Sequence, residues 1–337
     1  MITHAHAHRL TAHKTVSTTL AGLGDHELTE LVAHAPGLGS GLGGRSALLD
    51  VAGIPVFVKR VPLSDLERRP DLVGSTANLF ELPLLCHYGV GTVGAPSFGA
   101  WRELAAHAMT TGWVLTAEHE GFPLMHHWRV LPDSAPLPDE LADVDRAVAY
   151  WGGSARVRHR IEALRQSSAS LTLFLEHLPL NLHQWLSGHD RIADACTEVE
   201  RELAAGVAFM NSRGLLHFDA HFENILTDGR RLYFGDFGLA LSAGFELAPD
   251  EAAFFDRNQH YDRGYTASCL VSWLVTALYG LRPDDRDGRF ALVHAFAEGE
   301  RPTGIPAEAA EVILRNAPAA AAVAGFVREF RRECPRF

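Results

Sequence analysis

His217-Phe218-Asp219-Ala220-His221-Phe222-Glu223-Asn224 and, a little further on, Gly235-Asp236-Phe237-Gly238 decide how the rest of this chain is read. The first stretch has the form H-x-D-x-x-x-x-N, and Asp236 stands twelve positions beyond Asn224. Between them, Ile225-Leu226-Thr227 and Arg231-Leu232-Tyr233-Phe234 flank Asp228-Gly229, a dipeptide that favours a tight hairpin turn. A hairpin here brings Asn224 and Asp236 together at its open end. Asn224 then offers a neutral amide oxygen and Asp236 a full carboxylate, both hard donors suited to Mg²⁺. Gly238 frees the backbone for a sharp bend. On a plain surface hairpin the same Asp and Asn residues would serve only as turn formers.

Working toward the amino terminus, Gly39-Ser40-Gly41-Leu42-Gly43-Gly44 satisfies G-x-G-x-x-G, a pattern that alone marks little more than a flexible loop. The residues after it are more informative. Ser46–Val51 and Ile54–Lys59 read as two strands joined at Ala52-Gly53, whereas a dinucleotide fingerprint would open a helix. Lys59 ends the second strand. The chain has 30 basic residues, of which only Lys14 and Lys59 are lysines, so a lysine here suggests a site that wants a compact point charge. Glu103, within Trp101–His107 at helical spacing, is the first choice of partner for Lys59, with Glu67 and Glu81 as alternatives. Leu171–Leu178 is a strand-like apolar run, followed by Asn181–Leu186 at helical spacing.

Taken together, the motifs from Gly39 to Gly238 resemble those of the protein-kinase-like superfamily. The resemblance implies an α+β, bilobal fold: a small β-rich amino-terminal lobe with inserted helices and a larger helical carboxyl-terminal lobe. It implies a lobe boundary near 177/178, after an extension over 1–30 that is flexible or helical. It also implies ATP as donor, with Mg²⁺ on Asn224 and Asp236. Asp219 would orient an acceptor hydroxyl and take its proton late, while His217 and His221 flank it in the loop. Lys59, held by Glu103, would touch the non-transferred phosphates under a cover of Gly39, Ser40, Gly41 and Gly44. Adenine would meet the backbone at Glu176 and Leu178, with Phe174 at the back of its pocket.

Within that superfamily His221 is similar to aminoglycoside and choline phosphotransferases, where protein Ser/Thr kinases usually carry lysine. Asp236-Phe237-Gly238-Leu239-Ala240 is closer to the protein kinases. Ala248-Pro249-Asp250-Glu251 follows Gly238 too soon for a peptide-docking activation loop, and Pro249–Arg257 reads as a helix with proline in its first turn. Asp262, ahead of an apolar helical run, is placed to brace the catalytic loop as in such enzymes. The expected acceptor is therefore a small hydroxylated molecule. The alternatives are a protein Ser/Thr kinase with a short activation segment and a nucleotide-binding scaffold without catalysis.

Two segments exceed the basic plan: 62–99, punctuated by Pro and Gly, and 133–168, with helices expected at 139–150 and 155–166 around Trp151-Gly152-Gly153. Either they shape acceptor specificity or they brace the fold. The region 307–332 is alanine-rich with helical spacing, expected to break near Pro318.

The 337 residues, 47% hydrophobic, suffice for a large core, and a net charge of -11 excludes a nucleic-acid or anionic-membrane surface as the expected partner. No apolar leader is visible, and the stretch around 270–281 is too short to span a bilayer. Cys86, Cys196, Cys269 and Cys334 lack metal-type spacing, which suits the cytoplasm, and Arg and Ala enrichment suggests a high-GC bacterial genome. His4, His6, His8 and His13 offer transition-metal ligands, but alternating His-Ala at a chain end reads more readily as a disordered tail. The sequence sets no oligomeric state.

Overall fold

The computed structural model describes residues 4–41, 44–89, 93–134, 136–188 and 192–333. Leu42, Gly43 and Cys334 therefore lie outside the described residues, and of Ser40 and Gly41 only the backbone is described. The fold is mixed α+β. Helices α1 (His4–Ala21) and α2 (Asp25–Ala33) lead into strands β1 (Gly37–Gly41), β2 (Gly44–Val51) and β3 (Ile54–Leu63). A 3₁₀ turn at Leu84–His87 precedes α3 (Ala100–Leu115) and β4 (Met125–Pro132). Then come α4 (Asp139–Ala142), α5 (Val144–Tyr150), α6 (Ala155–Arg165), β5 (Ala169–Glu176), β6 (Leu180–Asn181), α7 (Leu182–Ser187) and α8 (Ile192–Ser212). The last part holds β7 (Leu215–Leu216), β8 (Ile225–Thr227), β9 (Leu232–Phe234), β10 (Leu241–Ser242), α9 (Pro249–Arg257), α10 (Tyr261–Leu278), α11 (Arg286–Ala297) and α12 (Ala307–Glu333).

The main sheet is antiparallel throughout, in the order β1-β2-β3-β5-β4. Its period-2 alternation sorts two faces. On one face Val56, Val58, Leu49 and Phe174 join Val16 and Leu20 of α1 and Leu28 and Val32 of α2 in a single core. These pairs are spaced i,i+4, so each helix lays one stripe on the sheet. The amino-terminal histidines are thus part of a packed helix and not a tail: His6 is buried, and His13 Nδ1 lies 3.1 Å from His126 Nδ1 on β4. On the other face Val61, Leu63, Leu171 and Leu173 pack against Ala100 and Trp101 of α3.

This alternation corrects one expectation. Phe174 pairs across from Val58 and shares its face, away from α3, so it does not back a pocket on the inner side. Its neighbour Leu175 lies on the inner face instead.

Helices α8, α10, α11 and α12 form the largest core. α12 runs unbroken through Pro318, contrary to the expected break. Ala309, Val312, Ile313, Ala317 and Ala320 are buried on one side of it, and this tertiary packing outweighs the one backbone hydrogen bond a proline removes. By length and composition α12 could cross a membrane; here that apolar side packs on α8, α10 and α11. The segment expected as one helix over 139–150 is two, because Asp143 interrupts it and caps α5 by accepting the Arg146 N–H at 3.0 Å.

Candidate active site

A cleft of about 880 Å³ lies between the inner face of the sheet and the helical body. Lys59 reaches it from β3 and Glu103 from the first turn of α3. That turn is fixed by two buried ion pairs. Glu67 accepts the Ala100 N–H at 2.8 Å, the Ser64 hydroxyl at 2.5 Å and Arg160 Nη1 at 2.7 Å, while Arg102 Nη2 meets Glu251 of α9 at 2.7 Å. Glu67 is therefore committed to Arg160, and Glu81 pairs with Arg156 on the surface. Glu103 is the residue that meets Lys59, Oε1 to Nζ at 2.7 Å.

Lys59 Nζ also donates to Asp236 Oδ1 at 2.8 Å. Burial alone would lower the ammonium pKa, but the Asp236 and Glu103 carboxylates outweigh it and hold the pKa above its ordinary value. The two carboxylates respond in opposite directions. Burial raises Glu103 to about 7 despite Lys59, whereas Lys59 and the Gly238 N–H overcome burial at Asp236 and bring it to about 2. The Asp236 charge is thus the fixed one.

Asp236 owes its position to the β8–β9 hairpin. Ile225 pairs with Phe234, the Gly235 N–H donates to Asn224 O at 3.0 Å, and Asp228 Oδ1 closes the loop by accepting the Arg230 and Arg231 N–H groups. The connection spans residues 228–231, wider than a two-residue turn. Asp236 itself sits at φ +58 and Phe218 at φ +63, left-handed values that non-glycine residues adopt only under constraint. The constraint at Phe218 is Asp262: its buried carboxylate accepts the N–H of His217 at 2.6 Å and of Phe218 at 2.8 Å. His217 adds a second tie, donating from Nε2 to Gly235 O at 2.9 Å and accepting the Asp219 N–H at Nδ1. Only neutral imidazole can do both, and burial lowers its pKa to about 4.

Asp219 faces this cluster. Asn224 Nδ2 donates to Asp219 O at 2.9 Å and Oδ2 at 3.1 Å, and His221 Nε2 lies 3.8 Å from Oδ1. Burial, then the nearby Asp236 charge, push the Asp219 carboxyl well above its usual range. Burial lowers His221. Among the described residues, Asn224 Oδ1 and Asp236 Oδ2 accept no hydrogen bond and both side chains line the cleft. Two hard oxygens with open positions suit a hydrated divalent cation, which takes the rest of its shell from water or ligand. No group of three His, Cys, Asp or Glu side chains able to hold a metal occurs among the described residues.

From the glycine-rich hairpin, Leu38, Gly44 and Ser46 line the cleft, while Gly39 is exposed. Gly44 has a specific reason to be glycine: φ is +116, and a Cβ would overlap Arg60 O. At the opposite end, Glu176, His177 and Leu178 line the cleft. The Glu176 N–H donates to Leu124 O at 2.8 Å and is thereby taken up within the fold.

Sequence reasoning missed three contributors. Arg9 of α1 binds both oxygens of Glu176 at 2.8 Å and the carbonyls of Glu120 and Phe122. Gly89 lies against the Asp219 carboxylate, and His87 donates from Nδ1 to Leu239 O at 2.9 Å. Arg9 and Glu176 are 167 positions apart, beyond the reach of any local pattern. No protein-family model matches this sequence.

Proposed function

We propose that this protein is an ATP- and Mg²⁺-dependent phosphotransferase that moves the γ-phosphoryl group to a hydroxyl of a small molecule in the cytoplasm. In this reading the fold is bilobal and protein-kinase-like, with β1–β5 and α3 in the small lobe and α7–α12 in the large one. The observation that carries it is Lys59 Nζ held between Glu103 and Asp236, with Asp219 and Asn224 joined in the same cleft. Phosphoryl transfer asks a protein mainly for positioning and charge, and these groups supply both.

Lys59 contributes a permanent positive charge for the α- and β-phosphates. The acceptor oxygen forms a bond to the γ-phosphorus as the bond from that phosphorus to the β,γ-bridging oxygen breaks. The bond's electron pair leaves on ADP and the hydroxyl proton passes to Asp219. A carboxylate whose pKa is raised by burial is a better proton acceptor than an exposed one. Mg²⁺, when held by Asn224 and Asp236, neutralises charge on the phosphate oxygens. Only residues 239–248 separate Gly238 from α9, and β10 pairs two of them with β7, which favours a small acceptor over a docked peptide.

The test is transfer from γ-³²P-ATP to a panel of hydroxylated small molecules and a generic protein, with Asp236→Ala as the blank. Mg²⁺-dependent label on a small molecule is the expected outcome. Label on protein alone selects the protein-kinase alternative, and ATP binding without label selects the scaffold.

A further inference from the structure

The segments 62–99 and 133–168 are not separate additions. Phe80, Leu82, Val93, Leu141, Trp151 and Ile161 share one core with Phe330 of α12. Three consecutive residues connect that core to the catalytic loop. His87 stacks on Phe98 at 3.7 Å, tilts against Phe218 at 5.1 Å, and bonds Leu239 O. Tyr88 packs edge-on to Phe218 at 5.8 Å and donates its hydroxyl to Asn258 Oδ1 at 2.9 Å. Gly89 then approaches Asp219 so closely that a Cβ would overlap both Oδ1 and Cγ and press on Leu239 Cδ1 at 3.2 Å. Any side chain at 89 displaces the carboxylate.

Beyond Asp219 this part of the cleft is walled by Tyr88, Val93, Ala95, Leu137, Leu141 and Leu239. Among the described residues its carboxylates besides Asp219 are Glu140 and Glu223, and Arg160 also contributes to the lining. The cation on this side, Arg160, is fully buried. It is committed to Glu67 and to the carbonyls of Pro96 and Ser97, with one terminal nitrogen, out of solvent, unpartnered.

We propose that this region is the acceptor subsite and takes a small hydroxylated compound with an apolar body and no anionic group, its hydroxyl delivered to Asp219 past Gly89. The assignment rests on the phosphotransfer reading above. Apolar walls bind an apolar body by removing it from water, and an anion there meets carboxylates while, among the described residues, the cation Arg160 on this side is engaged by Glu67. Gly89 is a positioning residue, acting on the reaction through Asp219.

The experiment uses the full chain in two stages. Calorimetry first measures binding of AMP-PNP with Mg²⁺. Transfer from ATP is then measured to 3-phenylpropan-1-ol, to its para-carboxylated analogue and to glycerol. The parent alcohol is expected to exceed both others at least ~10-fold in kcat/KM. Glu140→Arg, a charge reversal at an exposed position, should narrow the gap between the parent and the carboxylated probe at least ~5-fold. Gly89→Ala should lower kcat at least ~100-fold with AMP-PNP affinity unchanged. With AMP-PNP bound normally, a preference for glycerol or the carboxylated probe, an unmoved gap in Glu140→Arg, or full transfer by Gly89→Ala overturns the subsite alone. Should Gly89→Ala fail to fold, Glu140→Arg decides. Absence of AMP-PNP binding by the unmodified protein overturns the phosphotransfer reading and the subsite with it.

Discussion

Asp262→Asn isolates what holds the 217–224 loop, the catalytic loop of the proposed reaction, in place. In the native chain each backbone N–H of His217 and Phe218 ends on this one carboxylate, at 2.6 and 2.8 Å, with the carboxylate fully buried. Asparagine keeps one acceptor and turns an NH₂ toward the other N–H, leaving a buried donor unsatisfied at a cost of about 1–3 kcal/mol. Phe218 adds its own left-handed strain, of order 1–3 kcal/mol, which this support helps to maintain. Relaxation there moves Asp219, the next residue, and a displacement of about 1 Å costs roughly 100-fold in rate. The expected result is a kcat about 100-fold lower in the proposed reaction, with nucleotide affinity unchanged because Lys59 and the 176–178 segment are untouched. Stability carries a second signature. Burial raises the Asp262 carboxyl to about 6, so the folded state holds this proton more tightly than the unfolded chain does. Its contribution to stability is fully present below the unfolded value of 3.8 and is lost as pH rises through about 6. Asparagine has no such proton. The stability gap between native protein and variant, from urea denaturation, should therefore widen by about 1 kcal/mol between pH 6 and pH 5. A variant with native kcat, or a gap that narrows on acidification, refutes the reasoning.

Four further outcomes rest on the same geometry. Lys59→Met removes the charge shared by Glu103 and Asp236 and should lower kcat/KM at least ~100-fold, with AMP-PNP affinity measured alongside; native turnover would sink the assigned role. In the proposed reaction Asp219 acts ionised and burial raises its pKa, so kcat should fall on acidification, and a kcat that rises on acidification would contradict this. Gly206→Ala drives a Cβ into the Phe234 ring and should cost about 1–3 kcal/mol, read as a lower urea midpoint with an unchanged slope. Arg9→Ala strips Glu176 of its bidentate partner and should cost about 3 kcal/mol, visible in the same titration; an unchanged midpoint would mean that α1 is not anchored there.

Sequence alone made the β8–β9 hairpin, the β2–β3 hairpin and α9 legible because each is specified by neighbours in the chain: Asp228-Gly229, Ala52-Gly53 at φ +55 and +79, and Pro249 at the first turn. Lys59, Asp219, Asn224 and Asp236 were legible by residue type and order. The features that stayed hidden depend on contacts between distant segments. Phe174 and Leu175 are equally apolar, and only the pairing of β5 with β3 decides which one faces inward. The unbroken α12 needs the helices packed around Pro318, and the Gly89 contact with Asp219 needs two segments 130 positions apart to meet. Choosing among Glu67, Glu81 and Glu103 required knowing that Arg160 and Arg156 claim the first two.

The core shared by the two inserted segments also bears on the order of synthesis. His87, Tyr88 and Trp151 emerge from the ribosome long before their partners Leu239, Phe254 and Phe330. The main sheet with α1 and α2 can settle from residues up to 176 alone, since its outer core contains nothing later. The wall around Asp219 cannot. Translation therefore yields a folded sheet first and an open, incompletely walled cleft second. That wall is complete only when the residues near 330 arrive, so the nascent chain passes most of its elongation without the finished side of the cleft proposed to take the acceptor.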